Sequence, residues 1–247
     1  MAYVALSAID VLENGDVRAA SGVLDNMAPG TPSNTLLSNA RINLLLYRRD
    51  FVAARALAAK FASEFGTGHA AITMAMSRAN VEWLAGDKDA AHVFYSGAIH
   101  LLIKPANDDV GVGDMTLGLA YARLGQVDAA LKQNEVAASL DRRSHGLGFE
   151  GQRRLVLARI QVTLGHTSAA IDILAQLLAQ GKNGYLVSPA LLRIYPTWDP
   201  LCKDPRFQAL LKKYANAAPA SAATTTDRSP PEPDPLSGEP IECNWFG

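Results

Sequence analysis

A short turn followed by a pair of alanines occurs five times along this chain, and this repetition restricts the possible folds more than any other feature. The alanine pairs are Ala19-Ala20, Ala53-Ala54, Ala90-Ala91, Ala129-Ala130 and Ala169-Ala170. Successive pairs are about 34 to 40 residues apart, which is the period of repeats made of two helices. The sequence therefore predicts helix pairs that stack on their neighbours and share a continuous core. Such a stack presents a long concave surface, so the repetition indicates a function in binding.

The fourth repeat shows the pattern most completely. Gly118 and Tyr121 lie at helical spacing on its first helix, and Gly125 is placed to end that helix. A residue without a Cβ atom adopts the left-handed conformation at little cost, so glycine is favoured at such an end. Ala130 and Ala137 put small side chains on the second helix, which lets the two helix backbones approach closely.

These residues resemble a tetratricopeptide repeat. The resemblance is carried by the order Leu117-Gly118-x-x-Tyr121-x-x-x-Gly125, followed by Ala130 and Ala137. The other repeats match less completely, and the second matches least, since it has Arg49 in place of the turn glycine and Phe61 at a position that usually holds a small residue. The resemblance implies an all-α fold: a right-handed α-solenoid of about five helix pairs, in which the first helix of each pair lines a concave groove.

The segment after the fifth repeat carries a second resemblance. Trp198-Asp199-Pro200-Leu201, followed by Asp204-Pro205-Arg206-Phe207, is similar to the closing segment of tetratricopeptide regions in bacterial signalling proteins, which are often fused to eukaryotic-like Ser/Thr kinases or winged-helix regulators. The last helix pair of a solenoid has no further repeat to cover its apolar side. Five apolar residues are predicted to provide that cover: Trp198, Leu201, Phe207, Leu210 and Leu211. We therefore predict a solenoid over residues 1–214 that includes a cap over 186–214.

Residues 215–247 differ in composition from the rest of the chain. They are rich in Ala, Ser, Thr and Pro, and they carry five carboxylates and a single arginine. Such a segment buries too little apolar surface to offset the entropy lost on ordering, so it is predicted to be disordered. Because the whole chain has a net charge of −1, the tail is acidic and the remainder is mildly basic. One hypothesis is that this tail occupies the groove and inhibits binding.

Composition and charge limit the location and the partners of the chain. Hydrophobic residues make up 49% and charged residues 19%, as in a folded domain. The near-zero net charge gives no general attraction for nucleic acid or for an anionic membrane. No apolar run is long enough to span a bilayer, and residues 1–10 lack the basic region of a signal peptide. We expect a cytoplasmic protein, or an extracytoplasmic one if the chain belongs to a membrane-anchored parent.

Three groups of residues resemble catalytic or ligand-binding motifs, and each has a simpler explanation. Residues 146–151 fit the dinucleotide fingerprint Gly-x-Gly-x-x-Gly, but that motif needs a preceding strand, and a helix is predicted there. Asp141, Ser144 and His145 lie in one short stretch, whereas a catalytic triad comes from separate elements. The five histidines lack the spacing of a metal-ligand pair. We predict no enzyme activity, no cofactor and no metal site, with any catalytic domain of a parent protein outside this chain.

The groove residues follow from the resemblance. The family's groove positions fall on nine residues of this sequence: Asn39, Asn43, Thr73, Met76, Asn80, Met115, Arg123, Gln152 and Arg159. Asparagine both donates to and accepts from a peptide backbone, and arginine binds carboxylates in a bidentate manner. The lysines that other members use to bind chaperone tails are missing. The chain is therefore predicted to be an interaction scaffold or adaptor that binds a peptide or protein segment, and the arginines favour an acidic one.

Two other functions remain open at this point. The chain could assemble with copies of itself through an uncovered end of the solenoid. It could also be an enzyme with a polar pocket built from repeat loops, for which Asp141, His145 and Glu150 are the candidates. The sequence leaves open the identity of the partner, the oligomeric state and the presence of a kinase or DNA-binding domain in a parent protein.

Overall fold

The structure is a computed structural model, and it describes residues 2–27, 34–64, 68–102, 112–143, 150–180 and 187–215. Throughout these ranges the regular structure is helical and contains no strand, which confirms the predicted all-α class. The α-helices are α1 (Ala2–Asn14), α2 (Val17–Asp25), α3 (Thr35–Tyr47), α4 (Phe51–Glu64), α5 (Gly68–Leu84), α6 (Lys88–Leu102), α7 (Val112–Arg123), α8 (Val127–Arg143), α9 (Glu150–Thr163), α10 (Thr167–Ala179), α11 (Pro189–Ile194) and α12 (Pro205–Tyr214). A 3₁₀ helix, Pro196–Leu201, lies between α11 and α12.

The first ten helices pack in consecutive pairs, from α1 with α2 to α9 with α10. Each pair also packs on the next through the second helix of one and the first helix of the other. In addition, α3 contacts both α1 and α5, and α7 contacts α9, so first helices lie beside one another. The alanines of the repeated pattern are where these helices meet, since Ala20, Ala54, Ala91, Ala130 and Ala170 are completely buried.

The turns inside the five pairs share one backbone conformation. Gly15, Gly86, Gly125 and Gly165 have φ values of 71°, 89°, 73° and 78°, in the left-handed region. Arg49 occupies the same place in the second pair and has φ 57°. The arginine that departs from the repeat pattern therefore keeps the conformation of the glycine it replaces, at a cost of roughly 1–2 kcal/mol for an L-residue with a side chain.

The segment after the fifth pair packs against that pair. Trp198, Leu201, Phe207, Leu210 and Leu211 are all buried, and they share one core cluster with residues of α9 and α10. Local sequence explains why the segment folds as it does. Ser188 and Asp204 each accept a backbone hydrogen bond at the start of a helix, and a proline follows each of them at the first helical position.

The same segment also reaches the first helix pair, which the sequence did not predict. Helix α11 packs against α1 as well as α12, and Leu191 and Ile194 lie against the apolar core of the first and second pairs. A Cβ atom at Gly15 would lie 3.6 Å from Cβ of Ala190. The residues from α11 to α12, called the cap below, therefore join the two ends of the row of helix pairs. The predicted tail lies outside the described residues, apart from Ala215.

Candidate functional site

Five polar side chains, from the third, fourth and fifth helix pairs and from the cap, meet in one hydrogen-bond network. They are Asn80 of α5, Tyr95 of α6, Arg123 of α7, Arg159 of α9 and Tyr195 of the cap, and we call them the central layer. Asn80 Oδ1 accepts hydrogen bonds from Arg123 at 2.7 Å and from Arg159 at 3.3 Å. Arg159 also donates to the Tyr195 hydroxyl at 3.3 Å, and Arg123 donates to the Tyr95 hydroxyl. The layer thus connects the third, fourth and fifth pairs to the cap.

The two arginines of the central layer have no carboxylate partner among the described residues. Neither Arg123 nor Arg159 forms an ion pair with any described residue. Arg123 is only 2% exposed, and its Nε has no hydrogen-bond partner in the described part of the chain. Burial lowers the pKa of Arg123, and the nearby positive charge of Arg159 lowers it further. The layer is therefore a buried, electropositive centre.

The pKa values of the three phenols near this centre are shifted in opposite directions. Burial by itself would raise the pKa of Tyr195, but the charges of Arg159 and Arg123 and a hydrogen bond from Asn80 outweigh it, so the pKa lies below the ordinary 10.0. Burial raises the pKa of Tyr95, despite an opposing effect of Arg123. Burial also raises the pKa of Tyr47, whose ring meets that of Tyr195 edge-on with centroids 5.3 Å apart. Of these three phenols, Tyr195 is thus the one whose ionised form the arginines stabilise enough to lower its pKa.

Two cavities border the central layer. The first, which we call the amide-lined cavity, has a volume of about 670 Å³ and is lined by residues of α1, α3, α5, α6, α7, α9 and the cap. Asn80, Tyr95, Arg159 and Tyr195 form part of its wall. The second, which we call the basic cavity, has a volume of about 720 Å³ and lies among the turns of the second and third pairs, the ends of α7 and α9, and the cap. Arg123 is the residue of the central layer that lines it.

Seven of the nine groove residues predicted from the sequence line the amide-lined cavity. They are Asn39, Asn43, Thr73, Met76, Asn80, Gln152 and Arg159. Arg123 does not join them, because it lies at the end of α7 and is buried toward the basic cavity. Met115 lies in α7, and its side chain is outside the described part of the structure. The first helices of the pairs thus bring most of the predicted residues together.

The observed cavity differs from the predicted groove because the cap forms one of its walls. The sequence predicted an open concave surface, whereas Leu191, Tyr195 and Trp198 of the cap form one wall of the amide-lined cavity. Two of the predicted asparagines are also already engaged, since Asn80 bonds Arg123 and Asn39 accepts a hydrogen bond from Ser77. The cap residues therefore close one side of the surface that was predicted to be open.

Sequence reasoning missed an ion pair that fixes the cap. Arg49 donates two hydrogen bonds to the carboxylate of Asp199, each 2.7 Å long, across 150 residues of chain. Both side chains are about one-quarter exposed. One signal was visible in the sequence. Arg49 stands at a turn position where glycine is favoured, which indicates that its side chain makes a stabilising contact. The central layer gave no comparable signal, because its members are far apart in the sequence.

The described ranges also bear on the other kinds of site that the sequence raised. Within them, no three His, Cys, Asp or Glu residues cluster as metal ligands would. None of the described helices combines the length and apolar character needed to cross a bilayer. Of the fingerprint at 146–151, residues 146–149 lie outside the described ranges, and Glu150 and Gly151 begin α9; the described element that precedes the fingerprint is helix α8. Asp141 and His145 of the alternative loop pocket have no described side chains.

No protein-family model matches the chain, and no curated protein or solved structure shows significant similarity to it. The resemblance to tetratricopeptide repeats therefore depends on the residues of the chain itself.

Proposed function

We propose that this chain is a protein-interaction module that binds a peptide segment in the amide-lined cavity. In this proposal the helix pairs are five tetratricopeptide-like repeats of a right-handed α-solenoid, closed by the cap. The chain acts without catalysis, as an adaptor in a bacterial signalling or regulatory protein of the cytoplasm. The observation that carries the proposal is the convergence of seven predicted groove residues, from three different helices, on one cavity.

The chemistry of the cavity supports an extended peptide as the ligand. Asn43 and Gln152 offer amide groups that both donate and accept hydrogen bonds, as peptide backbones require. Ile72, Met76 and Leu119 provide apolar wall between them. Methionine adapts its shape to different side chains, which suits a peptide site. Arg159 adds a positive charge without a carboxylate partner among the described residues, and this favours an acidic residue in the peptide.

The proposal is tested by selecting random displayed peptides on the purified full chain and measuring the affinities of the enriched sequences. We expect a family of related peptides, and we expect the double variant Asn43→Ala/Gln152→Ala to bind them about tenfold or more weakly, since each lost hydrogen bond costs about 1 kcal/mol. Asn134→Ala on α8 is the matched control, because Asn134 does not line the cavity. Failure to enrich any family, or equal affinities for the double variant and wild type, would contradict the proposal.

One observation favours self-association as a second function. Tyr3, Leu6 and Ile9 lie three residues apart on α1 and are 44%, 52% and 37% exposed. An apolar stripe of this kind is typical of a contact with another chain. If copies associate through it, the mass measured by light scattering will rise with concentration, and Leu6→Glu will abolish the rise. A constant monomer mass would remove this alternative.

A further inference from the structure

The basic cavity has a large surplus of positive charge. Six of the described residues that line it are cationic: Arg49, Lys88, Arg123, Arg193, Lys203 and Lys212. Asp199 is the only acidic residue among the described lining residues, and Arg49 already holds its carboxylate through two hydrogen bonds. Like charges brought together in a partly enclosed space repel one another, so this arrangement is costly unless an anion enters the cavity.

Two of these cations converge on one aromatic ring. Lys88 Nζ lies 3.6 Å from the centre of the Trp83 ring, and the guanidinium carbon of Arg123 lies 5.3 Å from it. Neither side chain forms an ion pair with a described residue. Partial burial lowers the pKa of Lys88, and the positive charge of Arg123 lowers it further. Both cations therefore lie close to the Trp83 ring, and all three side chains line the cavity.

Arg123 supplies a second and independent indication of a ligand. It is almost completely buried, yet its Nε has no hydrogen-bond partner in the described ranges. Buried guanidinium groups normally satisfy their donors, because an unpaired buried donor costs free energy. Its Nη1 is engaged by Asn80 and Tyr95, so the rest of the side chain is held in place.

We propose that the basic cavity binds a small organic anion with at least two negative charges, of the phosphate-ester or polycarboxylate class. The anion bridges Lys88 and Arg123 beside Trp83, while Arg193, Lys203 and Lys212 surround its outer part. A volume of about 720 Å³ lies within the range of small-molecule sites. This site does not include the seven residues of the amide-lined cavity, so it stands independently of the proposed peptide binding.

The proposal is tested by calorimetric titration of the full chain with pyrophosphate and with citrate at constant ionic strength, and with acetate as a singly charged control. We expect saturable binding of at least one of the two multiply charged probes at one site per chain and no saturation with acetate. The stronger probe identifies the ligand class. If neither pyrophosphate nor citrate saturates the protein, the proposal is wrong.

Single charge removals then locate the site. Lys88→Gln and Lys212→Gln change exposed side chains, so the fold is not expected to depend on them. Each is expected to weaken binding of the stronger probe about tenfold, because each removes a charge-assisted hydrogen bond. Lys132→Gln on α8 removes the same charge outside the cavity and should leave the affinity unchanged. Equal weakening by all three variants would mean non-specific charge attraction and would overturn the site.

The ammonium group of Lys88 gives a direct measure of whether the anion binds beside it. Reductive ¹³C-methylation of the full chain allows the pKa of each lysine to be followed by NMR. Binding of the probe should raise the pKa of Lys88, because the anion stabilises its charged form. Lys132, which lies outside the cavity, is the control, and its signal should not respond to the probe. An unchanged pKa for Lys88 at saturating probe would place the anion elsewhere and overturn the proposal.

Discussion

The turns inside the helix pairs are of two kinds. In four of them a glycine has the left-handed conformation, which it adopts at little cost. In the second pair Arg49 has the same conformation and extends its side chain to Asp199 in the cap. The comparison shows that the exceptional turn is strained locally and is tied to a distant segment. The following substitutions test this contrast between local packing and closure by the cap, beginning with the largest effect.

Trp198→Ala removes the largest side chain of the cap core and should have the largest effect. Trp198 is 2% exposed and packs with residues of α9 and α10. We expect the free energy of unfolding to fall by about 3–5 kcal/mol, as for other buried aromatic truncations. Urea unfolding measures the loss. Hydrogen exchange should show faster opening of α9 and α10 than of α3 and α4, and unchanged unfolding would contradict the role of the cap.

Gly118→Ala tests the local packing of a glycine-turn pair. A Cβ atom there would lie 3.2 Å from the carbonyl oxygen of Ala130 and 3.3 Å from Cδ1 of Ile160. The first neighbour is backbone, so the helices must shift, and we expect a loss of about 1–2 kcal/mol in thermal unfolding.

Gly97→Ala is the matched control for that substitution. Gly97 lies in α6, and a Cβ atom there would meet nothing within 4 Å. Alanine should therefore stabilise the helix by about 0.5–1 kcal/mol. Effects of the same sign at Gly118 and Gly97 would show that helix propensity, and not the close approach of α7 and α8, governs the first result.

A double-mutant cycle on Arg49 and Asp199 sharpens the comparison of the two kinds of turn. Arg49→Gly relieves the left-handed strain but loses the ion pair, so these effects offset each other and the net change should be under about 1 kcal/mol. With Asp199→Asn already present, the same substitution should instead stabilise the protein by about 1 kcal/mol, because only strain remains to be relieved. Thermal unfolding of the four proteins gives both values. Additive effects would mean that the pair contributes no coupling energy.

The helix pairs were predictable from the sequence because the forces that form them are local. Ala130 and Gly118 mark close helix contacts, and the turn glycines mark helix ends, so their spacing encodes the fold. The closure of the molecule was not predictable to the same extent. Arg49 and Asp199 are 150 residues apart, and no periodic pattern links them. The apolar residues of the cap predicted burial against the fifth pair, but nothing in α11 indicated that it would also contact α1.

The candidate site divides in the same way. The positions of Asn43 and Thr73 follow from the repeat, so both line the amide-lined cavity. Arg123 was predicted to line the groove, but in the structure it contacts Tyr95 and Trp83 and lines the basic cavity. Tyr195 was not predicted, and it lines the amide-lined cavity because the cap packs against the helix pairs. Site residues whose positions depend on neighbouring helices were thus predictable, whereas those whose positions depend on the packing of the cap were not.

Titration of Tyr195 gives the smallest expected effect and the most specific test of the closure. Its pKa lies below the unfolded value of 10.0, chiefly because Arg159 and Arg123 outweigh the effect of burial. Between the two pKa values the unfolded chain binds more protons than the folded chain, so this group stabilises the fold increasingly as pH rises toward 10 and loses that contribution as pH falls. Tyr47 and Tyr95 have raised pKa values and therefore act in the opposite sense above pH 10. Tyrosinate absorbance should show one phenol ionising early, and Tyr195→Phe should remove that step.

Variants of other residues establish which contact produces that early step. Tyr3→Phe serves as the control, because Tyr3 is 44% exposed and should leave the step intact. Arg159→Gln should move the step to higher pH, because it removes the charge nearest the Tyr195 hydroxyl in the hydrogen-bond network. Disrupting the cap elsewhere with Asp199→Asn should move it in the same direction if that ion pair holds Tyr195 in the central layer. If the step stays at the same pH in Arg159→Gln, the Tyr195 hydroxyl does not contact Arg159. That result would contradict the position of the cap described above.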